Sequence, residues 1–114
     1  MAKQQKRFGI LIGIGALISV MLSATLLTQA ACTPSATSGD DTIDCTGFTL
    51  GVNGGAGNDT ITNEGIIGAM SGGAGDDDII NNITAGVMSG NAGEDYLENN
   101  GTAASMNGNA GNDT

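Results

Sequence analysis

The chain has 114 residues, enough for one small domain. Its aromatic side chains are Phe8, Phe48 and Tyr96, it has no Trp, and it carries 20 glycines and one proline, which leaves too few large side chains for an ordinary globular core. Lys3, Lys6 and Arg7 are the only basic residues, so beyond residue 7 the twelve acids, all between Asp40 and Asp113, set a formal charge of −12. That balance excludes nucleic acid as a partner, because phosphate binding needs a basic surface. With no His anywhere and no Lys or Arg after residue 7, no Ser or Cys has a base to activate it, and an enzyme is not expected.

The N-terminus has the order of a secretory signal peptide. Residues 1–8 form a basic n-region, Gly9 to Leu27 is an apolar run, and TQAAC follows at 28–32. Thr28 and Ala30 stand at −3 and −1 for cleavage after Ala30, giving a signal peptide over 1–30 and a leader over 31–35. The apolar run of 19 residues also has the length of an uncleaved membrane anchor. The expected location is secreted or at the cell surface. Ala30-Ala31-Cys32 resembles the end of a bacterial lipobox, with Gln29 where that motif has Leu, so Cys32 is a candidate lipid anchor. The alternative is a disulfide with Cys45, which would pin the stretch 31–37 onto the first coil.

From residue 36 the chain is a repeat. GGAGND begins at Gly54, GGAGDD at Gly72, GNAGED at Gly90 and GNAGND at Gly108, each 18 residues after the last, and a weaker copy, ATSGDD, begins at Ala36. Copies in strict register mean stacked units. In blocks of nine from Ala36, the eighth position holds Ile43, Val52, Ile61, Met70, Ile79, Met88, Leu97 and Met106. Nine residues therefore make one strand and one turn, and 18 make a coil with two strands. Ile43, Ile61, Ile79 and Leu97 stack on one side. Val52, Met70, Met88 and Met106 stack opposite them as core filling. A three-sided left-handed β-helix of hexapeptides also has an 18-residue period, but the nine-residue phase fits the apolar positions better.

At this level the chain resembles the RTX (repeats-in-toxin), or hemolysin-type, calcium-binding family, whose nonapeptide is G-G-x-G-x-D-x-U-x with U a large apolar residue. GGAGNDTIT at 54–62 and GGAGDDDII at 72–80 fit every fixed position. GNAGEDYLE at 90–98 has Asn91 for the second glycine, and Asn is the best substitute where φ must be positive. The copy at 108–114 matches until the chain stops at Thr114, one residue short of its apolar position. The expectation from that ending is a fragment of a longer repeat protein, truncated within its roll.

The resemblance implies an all-β fold, a right-handed parallel β-roll (a β-solenoid with 18 residues per coil) over 36–114, with Ca2+ held between successive turns. Calcium takes six to eight oxygens at flexible geometry. The sixth position supplies Asp59, Asp77, Asp95 and Asp113, with Asp41 the candidate in the degenerate copy. Gly54, Gly55 and Gly57 in the first full motif let the backbone turn carbonyls toward an ion. Gly72, Gly73 and Gly75 do so in the second, Gly90, Asn91 and Gly93 in the third, and Gly108 and Gly111 in the fourth. Three interfaces (54/72, 72/90 and 90/108) join full motifs; at 36/54 Ala36 and Thr37 replace both leading glycines. Extracellular calcium modules bind at about 10⁻⁴–10⁻³ M. Asp76, Asp78, Glu94 and Glu98 read as solvated surface charge.

The intervening blocks depart from the family pattern. Their sixth positions are Leu50, Gly68, Gly86 and Ala104, and their first positions are Cys45, Asn63, Asn81 and Asn99. The expectation is a one-sided calcium roll whose second edge is closed by an amide ladder of the three asparagines. The functional reading is an exported calcium-binding roll that folds with the metal and has a structural or surface role. Two alternatives stand beside it: a metal-independent adhesin-type β-solenoid passenger whose aspartates only cap backbone amides, and the non-catalytic repeat portion of a larger secreted toxin or enzyme.

Overall fold

A computed structural model describes Cys32, Thr33 and residues 35–114. The signal-peptide reading of 1–30 lies outside these residues. The described chain contains only strands, joined by turns and bends: β1 (Cys32–Thr33), β2 (Thr42–Ala56), β3 (Thr60–Ala74), β4 (Asp78–Asn81), β5 (Thr84–Ala92), β6 (Tyr96–Asn99) and β7 (Thr102–Ala110).

The 18-residue period becomes the pairing register. Ile43 lies beside Ile61, Ile61 beside Ile79 and Ile79 beside Leu97, all in parallel ladders. On the other side Val52, Met70, Met88 and Met106 pair in the same order. The fold is thus a parallel β-solenoid with 18 residues per coil, as the repeat predicts. Four coils start at Thr42, Thr60, Asp78 and Tyr96.

The reason lies in what each coil can bury. A nine-residue strand-plus-turn has too little apolar surface to hold itself, but identical positions stacked at about 4.8 Å make a continuous interior. Ile43, Ile61 and Ile79 on one wall and Met70 and Met88 on the other are fully buried. Ile67 and Ala85 complete the core from the fifth position of the intervening block, and Val52, Leu97 and Ala103 pack against it. The eighth-position rule therefore holds, but it omits this third inward row. Met106, expected in the core, is 45 % exposed, because no described strand lies on the fourth coil to cover it.

β1 runs antiparallel to β2, with Cys32 beside Cys45 and Thr33 beside Asp44. Cys32 and Cys45 form a disulfide. Of the two expectations for Cys32, the structure contains this one, and it ties the leader to the first coil. Cys45 occupies the ladder position that Asn63 and Asn81 fill in later coils, paired in register with Asn63 and so with Asn81.

Candidate metal-binding edge

The acidic turns are built by two positive-φ positions each. At the second motif position φ is 114° for Gly55, 129° for Gly73, 86° for Asn91 and 78° for Asn109. At the fourth it is 111° for Gly57, 129° for Gly75, 145° for Gly93 and 152° for Gly111. Asparagine stands only where φ falls below 90°, the left-handed region it tolerates. Its amide is also used: Asn91 Nδ2 donates to Ser71 Oγ at 2.8 Å and Asn109 Nδ2 to Ser89 Oγ at 2.7 Å, tying each turn to the coil before it.

The first motif glycine has a different task, invisible in the sequence. A β-carbon on Gly54, Gly72, Gly90 or Gly108 would overlap Oδ2 of Asp59, Asp77, Asp95 or Asp113 respectively. The aspartate side chain folds back beneath its own turn and fills the space the glycine leaves. In the degenerate copy Ala36 stands at that position, and Asp41 turns elsewhere: its Oδ2 accepts from Thr37 N–H at 2.6 Å and Thr37 Oγ1 at 2.9 Å. Asp41 is thus set apart from the other four sixth-position aspartates.

Those four form a file, one per coil. Each Oδ1 accepts the backbone N–H of the equivalent aspartate one coil earlier: Asp59 from Asp41 at 2.9 Å, Asp77 from Asp59 at 2.8 Å, Asp95 from Asp77 at 3.0 Å and Asp113 from Asp95 at 3.1 Å. The fifth position does the reverse on the outside of the turn. Asp40, Asn58 and Asp76 accept the N–H of Asn58, Asp76 and Glu94 in the coil that follows. Asp76, read as surface charge, therefore caps a neighbour's amide. Glu98, read the same way, accepts from Tyr96 Oη at 3.0 Å and Asn100 Nδ2 at 2.8 Å, and these bonds hold its carboxyl below the usual range.

The other oxygen of the file is unmatched. Asp59, Asp77 and Asp95 are at most 2 % exposed, and Oδ2 of each is buried with no hydrogen-bond partner. Burial, and then the charges of Asp59, Asp95 and Asp76, push the Asp77 carboxyl up to about 6, against the lowering effect of the Asp59 N–H. Among the described residues no group of three acidic, thiol or imidazole side chains converges on one point. A cation on this edge would meet carboxylates from adjacent rungs of the file and draw its remaining ligands from backbone oxygens. Orphaned, buried carboxyl oxygens beside glycine turns suit a hard oxygen-seeking ion.

The second edge is chemically complete without a metal. Asn63 Nδ2 donates to Asn81 Oδ1 at 2.8 Å, and Asn81 Nδ2 to Asn99 Oδ1 at 2.7 Å, the expected ladder. Asn63 also accepts from Gly65 N–H and donates to the Gly65 and Thr84 carbonyls. A second, outer row escapes the sequence reading: Asn82 Nδ2 donates to Glu64 Oε1 at 2.6 Å and Asn100 Nδ2 to Asn82 Oδ1 at 3.1 Å. Both edges bury polar side chains, Asp59, Asp77 and Asp95 on one and Asn63 and Asn81 on the other, but among the described residues only the acidic edge leaves such atoms unsatisfied.

Comparison with protein-family models, curated proteins and solved structures finds no match to this chain. What the fold itself defines is an all-β parallel solenoid with 18-residue coils, a form compatible with an RTX-like roll.

Proposed function

We propose that the chain is an exported calcium-binding roll of the RTX type, right-handed, with Ca2+ ions held along the file Asp59, Asp77, Asp95 and Asp113. The observation that carries this reading is the row of three buried Oδ2 atoms with no donor. Ionised neighbours about 4.8 Å apart repel by roughly 3 kcal/mol per pair at an effective dielectric near 20. Residues 8–114 contain no basic side chain to offset this. A divalent cation supplies the missing positive charge and replaces the lost hydration of the carboxylates. The chain contributes the carboxylates, the positive-φ turns and the glycine hollow that admits each aspartate. Asp41 stands outside the set, since its carboxylate is engaged by Thr37.

Placement outside the cell is supported by the Cys32–Cys45 disulfide, a bond that persists in oxidising compartments. The module is non-catalytic in this reading, and its role is structural or at a surface. Isothermal titration of calcium into the protein tests it, with Asp77→Asn combined with Asp95→Asn as the variant. Heat of binding near millimolar calcium that disappears in the variant supports the proposal. An identical titration in both proteins contradicts it.

One set of contacts favours a metal-independent solenoid. Each Oδ1 already caps a backbone amide, and the asparagine edge closes by itself. In that reading the aspartates only cap backbone amides, and the apo protein is folded and indifferent to calcium.

A further inference from the structure

The acids are confined to one side of the solenoid. Of the twelve, only Glu64 lies in the intervening blocks. The face made by residues 47–53, 65–71, 83–89 and 101–107 carries no charge at all. It is also where large apolar side chains stand in solvent: Leu50 is 83 % exposed, Phe48 and Ile66 each 51 %, and Val87 is exposed too. These belong to outward rows, Phe48 beside Ile66 beside Thr84 and Gly51 beside Ala69 beside Val87 beside Ser105. Along each row bulk is unequally shared. Leu50 is followed by Gly68 and Gly86, where a β-carbon would strike the backbone of the previous coil, and then by Ala104.

We infer that this uncharged face docks a second copy of the same chain, through a two-fold axis parallel to the strands and lying between the second and third coils. That operation sets the first coil of one copy over the fourth of the other, and the second over the third, with strand positions kept. Leu50 then faces Ala104, Phe48 faces Thr102, Ile66 faces Thr84 and Val87 faces Ala69. Every bulky residue meets a small one, and Gly68 meets Gly86. An isologous interface requires this self-complementarity of one patch. Charge points to the same occupant. The contact buries no carboxylate of either copy, so its apolar gain meets no desolvated charge. The face measures about 20 Å along the strands and 19 Å across four coils, roughly 400 Å² per copy. That is about half of a standard interface, which makes the dimer reversible.

Sedimentation equilibrium of the full chain, with calcium and with chelator, tests the arrangement. A monomer–dimer equilibrium is expected with calcium, and in chelator only for the fraction that circular dichroism shows to be folded. Leu50→Asp abolishes it, by setting a charge against the apolar Ala104 of the other copy. Ala104→Leu also abolishes it, since bulk now meets bulk, and Leu50→Ala combined with Ala104→Leu restores it. Circular dichroism confirms that each variant keeps its β structure; a variant that unfolds is replaced by Thr84→Lys, at an outward position facing Ile66, with the same expected loss. A protein that stays monomeric up to about 1 mM overturns the proposal. So does self-association unmoved by changes at positions 50 and 104, or a monomer that instead floats with neutral phosphatidylcholine vesicles and loses this with Leu50→Asp.

Discussion

Gly72 and Asp77 compete for one volume: Oδ2 of Asp77 lies where the β-carbon of any larger residue at 72 would be. The pair recurs as Gly54 with Asp59, Gly90 with Asp95 and Gly108 with Asp113. The leading glycine of the motif is therefore a steric partner of its aspartate, while positive φ is the business of the second and fourth positions.

Replacing that glycine tests the relationship. Gly72→Ala forces the Asp77 carboxylate out of its hollow, at a cost of about 1–3 kcal/mol from overpacking. Chemical denaturation should show the loss. The double variant Gly72→Ala with Asp77→Ala should lose less than the sum of the two single changes, because the clash is gone.

Acid should stabilise the metal-free protein. The Asp77 carboxyl is raised in the folded state from 3.8 to about 6, so the fold binds its proton more tightly than the unfolded chain does. That contribution is fully present below about pH 4 and is lost as pH rises through 6. Its size is about 3 kcal/mol, from 1.36 kcal/mol per pKa unit. In chelator the folded fraction, followed by circular dichroism, should climb between pH 7 and pH 4. With saturating calcium the trend should reverse, since protonation then expels a ligand. A flat chelator profile that Asp77→Asn leaves unchanged would contradict the buried-acid account.

The amide ladder should matter for stability and not for metal. Asn81→Leu removes the acceptor of Asn63 Nδ2 and the donor to Asn99 Oδ1. Asn63 Nδ2 keeps its bonds to the Gly65 and Thr84 carbonyls and Asn99 is exposed, so the loss is about 1 kcal/mol per hydrogen bond removed. Thermal unfolding should report the loss, while calcium affinity of the folded protein should stay within a factor of two to three of the parent, the spread of a small indirect effect.

Reduction of Cys32–Cys45 should loosen the first coil. A loop of 13 residues is worth about 3 kcal/mol in the chain-entropy picture. Hydrogen exchange after reduction should rise around Asp44 and Cys45, which pair with β1, and leave the Ile79 and Met88 rungs protected.

Much of this was written in the residue pattern, because a solenoid turns sequence period directly into spatial register. The pairing of Ile43 with Ile61, the Asn63–Asn81–Asn99 ladder and the positive φ of Asn91 all follow from spacing and residue type. What stayed hidden depends on side-chain direction within a turn. Nothing in GGAGND distinguishes Oδ1, which caps an amide one coil away, from Oδ2, which is orphaned. The inward turn of Ile67 and Ala85 is hidden too, since Thr49 and Ala103 in the same row blur the apolar signal. The capping by Asp76 is hidden because exposure and charge alone resemble solvation.

The most direct measurement is far-UV circular dichroism of the protein titrated with calcium, with magnesium as the control. The account predicts a coil-to-β transition near millimolar calcium, absent with magnesium and lost in Asp77→Ala with Asp95→Ala. A β spectrum already complete in chelator at neutral pH and unchanged by calcium would contradict it, and would leave the aspartates as caps of a metal-independent solenoid.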